Sequence, residues 1–107
     1  KNIFSKGIKV LVYNQDLDTI ARLSADFGVQ DESKNIVEVR KNVILKNDKQ
    51  EELNTEKLFW DRETKQIYTD DFVTLNTDNQ IIMGFGFTSD QYFSTYSLSN
   101  ITGTIYL

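Results

Sequence analysis

Aspartate and glutamate are the only side chains in this sequence whose types and spacing could support acid–base catalysis. The chain has no histidine and no cysteine, which excludes the usual zinc sites, cysteine nucleophiles and serine–histidine–aspartate triads. The adjacent pairs Asp70-Asp71 and Glu51-Glu52 could supply the acid and the base of a glycoside hydrolase. Both pairs lie in or beside polar turns, where carboxylates commonly accept hydrogen bonds from backbone amides. We therefore predict no catalytic residue, no cofactor and no metal site.

Three further aspartates end copies of one short phrase, in which an apolar residue is followed by a small residue two positions on and by aspartate eight positions on. The copies are Leu23/Ala25/Asp31, Leu53/Thr55/Asp61 and Ile82/Gly84/Asp90, set 30 and then 29 residues apart. The segments around them alternate apolar and polar residues, which indicates β-strands. One strand repeat cannot cover its own apolar face, so stacked copies predict one continuous, curved β-domain over residues 1–107.

The alternation also predicts where the strands bend. It is strict from Ala21 to Val29, which keeps one face apolar along the whole segment. Leu53 is out of phase with Leu58 and Trp60. A bulge near Glu56-Lys57 would return all three apolar side chains to the inner face and would curve the strand.

Glycine spacing predicts a second bend. Gly84 and Gly86 alternate with Met83, Phe85 and Phe87, so one strand face is bare and the other is bulky. A bare face lets a strand bend sharply or lets an aromatic ring lie against the backbone. We expect the bulky face to point inward.

The inner face of these strands is predicted to be an apolar lining. Its members are Val10, Val12, Leu23, Phe27, Leu45, Leu53, Leu58, Trp60, Leu75, Met83, Phe85 and Phe87. From the residues alone, such side chains could form either a closed core or the wall of a groove.

No charged residue follows Asp90, and the chain ends in a strong strand pattern. Edge strands are normally protected by charge or proline, and this one has neither. It is either covered within the fold or pairs with another chain, and we favour pairing. The predicted partner edge consists of Thr102, Thr104, Ile105, Tyr106 and Leu107. A net charge of −4 with scattered basic residues argues against a nucleic-acid partner.

Three stretches carry a family resemblance: residues 4–10, the phrase from Leu53 to Asp61, and the terminal segment from Thr102 to Leu107. In these stretches the chain resembles the LptC-type lipopolysaccharide-export proteins, in a Bacteroidetes-like variant, and more broadly the LptA/OstA-like repeat. The resemblance implies an all-β fold, namely a twisted, open β-jellyroll whose two antiparallel sheets form a V-shaped groove.

The resemblance also implies a non-enzymatic function. A protein of this type binds the lipid A acyl chains of lipopolysaccharide in its hydrophobic groove. It receives lipopolysaccharide from an inner-membrane ABC transporter with LptF/LptG-like subunits and relays it to an LptA-like periplasmic bridge at its C-terminal edge. We expect a periplasmic protein that an N-terminal helix tethers to the inner membrane. The resemblance places this helix, and the first strands of the jellyroll, upstream of the present sequence. The exposed edges of the remaining piece could then allow self-association.

A carbohydrate-binding or adhesive β-sandwich module is the alternative. Its exposed stacking platform would consist of Trp60, Tyr68, Tyr92, Phe93, Tyr96 and Tyr106. The position of Trp60 separates the two hypotheses. Lipid binding predicts that Trp60 faces inward beside Leu58, whereas sugar binding predicts that it stands in an exposed row with the tyrosines.

Overall fold

The structure, a computed structural model that describes residues 1–107, consists of antiparallel β-strands joined by turns. The strands are β1 (Asn2–Phe4), β2 (Ile8–Tyr13), β3 (Thr19–Ala25), β4 (Phe27–Asp31), β5 (Ile36–Asn47), β6 (Glu52–Asp61), β7 (Gln66–Asn76), β8 (Gln80–Asp90), β9 (Tyr96–Leu98) and β10 (Ile101–Tyr106). None of the chain forms a helix with the length and apolar character needed to cross a membrane.

All ten strands belong to one open sheet, in the order β1-β4-β5-β6-β7-β8-β10. In addition, β3 pairs with β5 and with β2, and β9 pairs with β8. Strand β1 pairs with β4, and β2 pairs with β3. Strands β9 and β10 pair with different parts of β8. The sheet is therefore a meander of seven long strands. Three of them are interrupted near their middle and appear as the pairs β1/β2, β3/β4 and β9/β10, and the other four are β5, β6, β7 and β8.

A line of irregularities crosses every long strand near its middle, and we call this line the crease. The register shifts between Arg40 and Val43 in β5, and comparable shifts occur at residues 55–59 and 69–72. Lys41 and Asn42 have positive φ angles of 67° and 51°. The shift at 55–59 contains the bulge predicted near Glu56-Lys57, so that prediction is confirmed.

The crease folds the sheet into two layers, which we call the first and second arms. The first arm consists of β2, β3, β10 and residues 43–47, 52–55, 72–76 and 80–84. The second arm consists of β1, β4, β9 and residues 36–40, 57–61, 66–69 and 87–90. The prediction of an all-β, open, antiparallel jellyroll-like fold is confirmed, and its two layers are halves of one sheet.

The hydrophobic core lies between the arms. In the first arm, Leu23, Leu45, Leu53 and Leu75 pair consecutively across four strands. The second arm contributes the facing side chains, including Leu58, which is 0% exposed, and both arms share one buried cluster. Because a fully buried leucine is worth about 1.5–3 kcal/mol, this ladder is a main source of attraction between the arms.

The predicted alternation from Ala21 to Val29 is wrong beyond residue 25. Ala25 faces the core, and so does Gly28, which pairs with the buried Val39. Asp26 is therefore an extra residue at the crease, and it moves Phe27 to the outer face. A single inserted residue reverses the direction of every later side chain, because the period of a strand is two.

The predicted inward direction of Met83 and Phe85 is also wrong. Gly86 has a φ of +103°, and this conformation resets the alternation, so that Phe87 is buried while Phe85 is 48% exposed. Met83 shares the outer face with Phe85. The predicted bend does occur here, since the register shift of β7 and β8 lies in this region.

The C-terminal strand forms one edge of the sheet. Between β9 and β10 the backbone crosses the inner face of Gly84, where an added Cβ would lie 2.9 Å from the carbonyl oxygen of Ser99. Glycine is thus required by the close approach of the backbone. Strand β10 pairs only with β8, and Ile105 and Tyr106 are 49% and 80% exposed. No other part of the chain covers this edge, and the role of its residues in partner binding stays a prediction.

Candidate functional site

The three aspartates of the repeat stabilise turns at the tip of the second arm. The Oδ1 atom of Asp31 accepts a hydrogen bond from the Ser33 amide at 3.1 Å, and Asp61 accepts from two amides of the following turn. Asp90 accepts from the Ser94 amide at 2.8 Å. The Ser33 hydroxyl lowers the pKa of Asp31. Burial opposes a similar change at Asp90, but hydrogen bonds from the Ser94 hydroxyl and from backbone amides lower its pKa.

The adjacent carboxylate pairs are likewise engaged in structure or exposed to solvent. Glu52 forms an ion pair with Lys46 at 3.3 Å. Asp70 is exposed, and Asp71 lines a wide surface cleft of about 480 Å³ beside the crease. No group of three or more potential metal ligands is present. Asp70 and Asp71 lie within β7 at the crease, so the prediction that this pair lies in or beside a turn is wrong, whereas Glu51 and Glu52 do lie beside the turn between β5 and β6.

The structure brings nine of the twelve predicted lining residues together between the arms. Six of them are at most 4% exposed: Leu23, Leu45, Leu53, Leu58, Leu75 and Phe87. Val10, Val12 and Trp60 are half-buried around them, whereas Phe27, Met83 and Phe85 lie on the outer face.

This lining is a packed core rather than a preformed trough. The cavity that both arms line has a volume of about 10 Å³, roughly the space that one water molecule needs. The leucines of the two arms fill the remaining space between the layers. A lipid could lie there only after the arms separate, so contact with lipid stays a prediction.

Trp60 occupies the end of the core that lies against β2 and β3. Val10, Val12 and Trp60 line the small cavity, together with Ala21, Arg22, Leu23, Leu45, Ile67 and Gln91, and we call this region the Trp60 pocket. The Nε1 atom of Trp60 is buried and has no hydrogen-bond acceptor in the chain. The guanidinium of Arg62 lies 5.7 Å from the centroid of the same ring.

The other notable part of the core is the loop at residues 91–95, between β8 and β9. It carries Phe93 into the interior, where the side chain is 0% exposed. The Phe93 ring lies 5.7 Å from the ring of Phe87 and 5.2 Å from that of Tyr96. Phe93 has a φ of +55°, an unusual conformation for a bulky residue, which the burial of its ring offsets.

Two hydrogen bonds join this loop and the first residue of β9 to the end of β5 and the turn that follows it. We call these two bonds, together with Phe93, the latch. The Tyr96 hydroxyl donates to Glu51 Oε2 at 2.6 Å. The Asn47 Nδ2 group donates to the Phe93 carbonyl oxygen at 2.9 Å. Burial first, and then the Glu51 carboxylate, raise the pKa of Tyr96 to about 12. The latch therefore ties the tips of the two arms together.

The latch was absent from the sequence-based predictions. Tyr96 and Glu51 are 45 residues apart, and no local pattern connects them. One local signal was available, because Asp90 and Ser94 have a spacing suited to a side-chain-capped loop.

The aromatic side chains do not form a common platform. Trp60 faces inward on the same side of β6 as Leu58, whereas Tyr68 lies on the outer face, stacked on Phe59 at 5.4 Å. Phe93 is buried, and Tyr106 stands at the far edge. This arrangement favours the lipid hypothesis over the sugar-binding one.

Comparison with known proteins identifies the family. The model of a family described as "Lipopolysaccharide-assembly, LptC-related" matches residues 4–106. No curated protein matches the sequence significantly. The family match runs from the end of β1 to the last residue of β10 and so covers both arms, the Trp60 pocket and the latch. Proteins of this family are periplasmic, generally non-enzymatic components of lipopolysaccharide transport. The chain belongs to the LptC-related family of lipopolysaccharide-assembly proteins.

Proposed function

We propose that residues 1–107 act as one β-jellyroll unit that relays lipopolysaccharide by holding its acyl chains between the two arms. The chain would receive the lipid from an inner-membrane ABC transporter complex and pass it to an LptA-like bridge. The tether to the inner membrane would lie outside residues 1–107. The observation that carries the proposal is the apolar character of both inner faces, which meet along a single crease.

Acyl chains can replace the core contacts at an acceptable energetic cost. Removal of a methylene from water is worth about 0.8 kcal/mol, so a chain of about twelve methylenes gains about 10 kcal/mol. This gain is comparable with the whole unfolding free energy of a small domain, about 5–15 kcal/mol. Separation of the arms around a guest is therefore affordable, and closure of the arms can drive release.

Charge determines where the head groups would lie. A net charge of −4 repels lipid A phosphates, so the phosphates should stay near solvent beside local cations. The chain offers no phosphate-binding loop, and the energy for transport would come from the transporter.

The unpaired edges suit the proposed partners. At the C-terminal edge, β10 is uncharged and can add a strand from an LptA-like protein. At the opposite edge, β1 and β2 would face the transporter. Replacement of Ile105 by lysine should weaken binding of the LptA-like partner in a pull-down, and unchanged capture would contradict this use of the edge.

Photocrosslinking tests the location of the lipid. A benzophenone amino acid at Trp60, on the inner face, should crosslink to lipopolysaccharide. The same group at Phe85, an exposed aromatic residue on the outer face, is the matched control and should not. Equal crosslinking at both positions in folded protein would contradict binding between the arms.

A further inference from the structure

Trp60 Nε1 is the one buried side-chain nitrogen or oxygen atom in this protein that has no hydrogen-bond partner in the chain. Native proteins satisfy nearly all such groups, and an unsatisfied one costs about 1–3 kcal/mol. A phenylalanine at this position would fill most of the same space without that cost. The indole N–H therefore calls for a functional explanation.

No acceptor of the chain forms a hydrogen bond with this N–H. Val10, Val12, Leu23 and Leu45 supply hydrocarbon walls to the adjoining cavity. Val10 and Val12 belong to β2, which is half-buried and pairs only with β3, so this wall is the one that a guest displaces most easily. A guest that enters here meets mainly hydrocarbon and the indole N–H, with the polar side chains of Arg22 and Gln91 as the other lining groups.

A cation stands next to that donor. The exposed guanidinium of Arg62 lies 5.7 Å from the centroid of the Trp60 ring and forms no ion pair within the chain. Arg22, also exposed, lies at the rim of the same cavity. In a chain with a net charge of −4, unpaired guanidinium groups beside an apolar cavity favour an anionic ligand.

We propose that the Trp60 pocket binds the head end of an ester- or amide-linked acyl chain on an anionic amphiphile. The indole N–H donates a hydrogen bond to the acyl carbonyl oxygen, Arg62 pairs with the neighbouring anionic group, and the hydrocarbon lies against Val10 and Val12. This subsite rests on the proposed lipid function and adds a chemical preference to it. An acyl chain with a carbonyl is preferred over an alkyl chain without one.

Two lysophosphatidates test this preference. The probes are 1-myristoyl lysophosphatidate and its ether-linked tetradecyl analogue, which lacks the carbonyl and keeps the phosphate. Their affinities are measured by calorimetry below the critical micelle concentrations. The wild-type protein should bind the ester about 3- to 10-fold more tightly, the effect of one net hydrogen bond. Trp60→Phe should remove this preference and leave the affinity for the ether unchanged.

Matched variants separate the roles of the two groups. Arg62→Gln should weaken both probes by a similar factor, because both carry the phosphate. Tyr68→Phe, which removes a hydroxyl from the outer face, should change neither affinity. Since the chain has one tryptophan, its indole N–H gives one NMR signal, and that signal should move downfield with the ester and not with the ether.

The outcomes distinguish the subsite from the function. Equal affinities of the wild type for ester and ether, or an equal loss of both in Trp60→Phe, would overturn the subsite. Binding of neither probe, with lipopolysaccharide still crosslinked at Trp60, would also overturn the subsite alone. Absence of that crosslink, in folded protein that carries the benzophenone at position 60 and no other change, would overturn the proposed function as well.

Discussion

The Trp60 pocket and the latch lie in the same core but are built in opposite ways. In the latch, Phe93 is 0% exposed and both Tyr96 and Asn47 have hydrogen-bond partners across the arms. In the Trp60 pocket the wall formed by β2 is half-buried and the indole N–H has no acceptor. We infer that the arms part at the wall that β2 forms in the Trp60 pocket, while the latch keeps the arms joined at their tips.

The largest expected difference concerns stability. Phe93→Ala should lower the free energy of unfolding by about 3–5 kcal/mol, because it leaves a cavity between the rings of Phe87 and Tyr96. Urea denaturation measures the change. Phe85→Ala is the control, since that ring is 48% exposed, and it should cost much less. Equal losses would show that the latch is no better packed than the surface.

The second comparison removes only the hydroxyl of Tyr96. Tyr96→Phe should lower the free energy of unfolding by about 1–2 kcal/mol, the value of a hydrogen bond to a charged group. In this variant Glu51 Oε1 keeps the hydrogen bond that Asn47 donates at 2.8 Å, whereas Glu51 Oε2 loses the hydroxyl that it accepts from in the wild type. Tyr68→Phe on the outer face is the control. A loss no greater than that of the control would mean that the hydrogen bond does not close the arms.

The fold was largely predictable from the sequence, but the direction of several side chains was not. The phase change between Leu53 and Leu58 is visible in the residues themselves, and it predicted the bulge that turns Trp60 inward. At Asp26 and Gly86 the alternation of apolar and polar residues in the sequence shows no break, although the backbone changes the direction of the side chains there. The sequence therefore predicted the wrong face for Phe85. Which face such a side chain occupies depends on how the crease forms across neighbouring strands.

The latch was unpredictable for a different reason. It depends on where the tips of the two arms meet, and this meeting is a consequence of the folded sheet. The sequence around Phe93 resembles an ordinary polar loop with one aromatic residue. Only the three-dimensional structure shows that this ring completes the core.

The pH dependence of stability provides a third comparison. Unfolded tyrosine loses its proton near pH 10, whereas burial and Glu51 raise the pKa of Tyr96 to about 12 in the folded state. The stabilisation from neutral Tyr96 is therefore complete below pH 10 and is lost as the pH rises from 10 to 12. The stability difference between wild type and Tyr96→Phe should shrink over this interval. A constant difference would contradict the raised pKa.

The smallest expected effect belongs to the Trp60 pocket. Without ligand, Trp60→Phe should change the free energy of unfolding by less than about 1 kcal/mol, because removal of the unsatisfied N–H offsets the packing that is lost with the smaller ring. Thermal and urea denaturation measure the change. A loss as large as that of Phe93→Ala would mean that the two regions of the core do not differ.

The separation of the arms can be measured directly by electron–electron spin distance measurements, since the chain has no native cysteine. Labels at Asp16→Cys and Glu63→Cys report across the Trp60 pocket, and labels at Asp48→Cys and Tyr92→Cys report across the latch. On addition of lipopolysaccharide, the first distance should lengthen while the second stays constant. An unchanged first distance at saturating lipopolysaccharide would contradict the claim that the lipid enters between the arms.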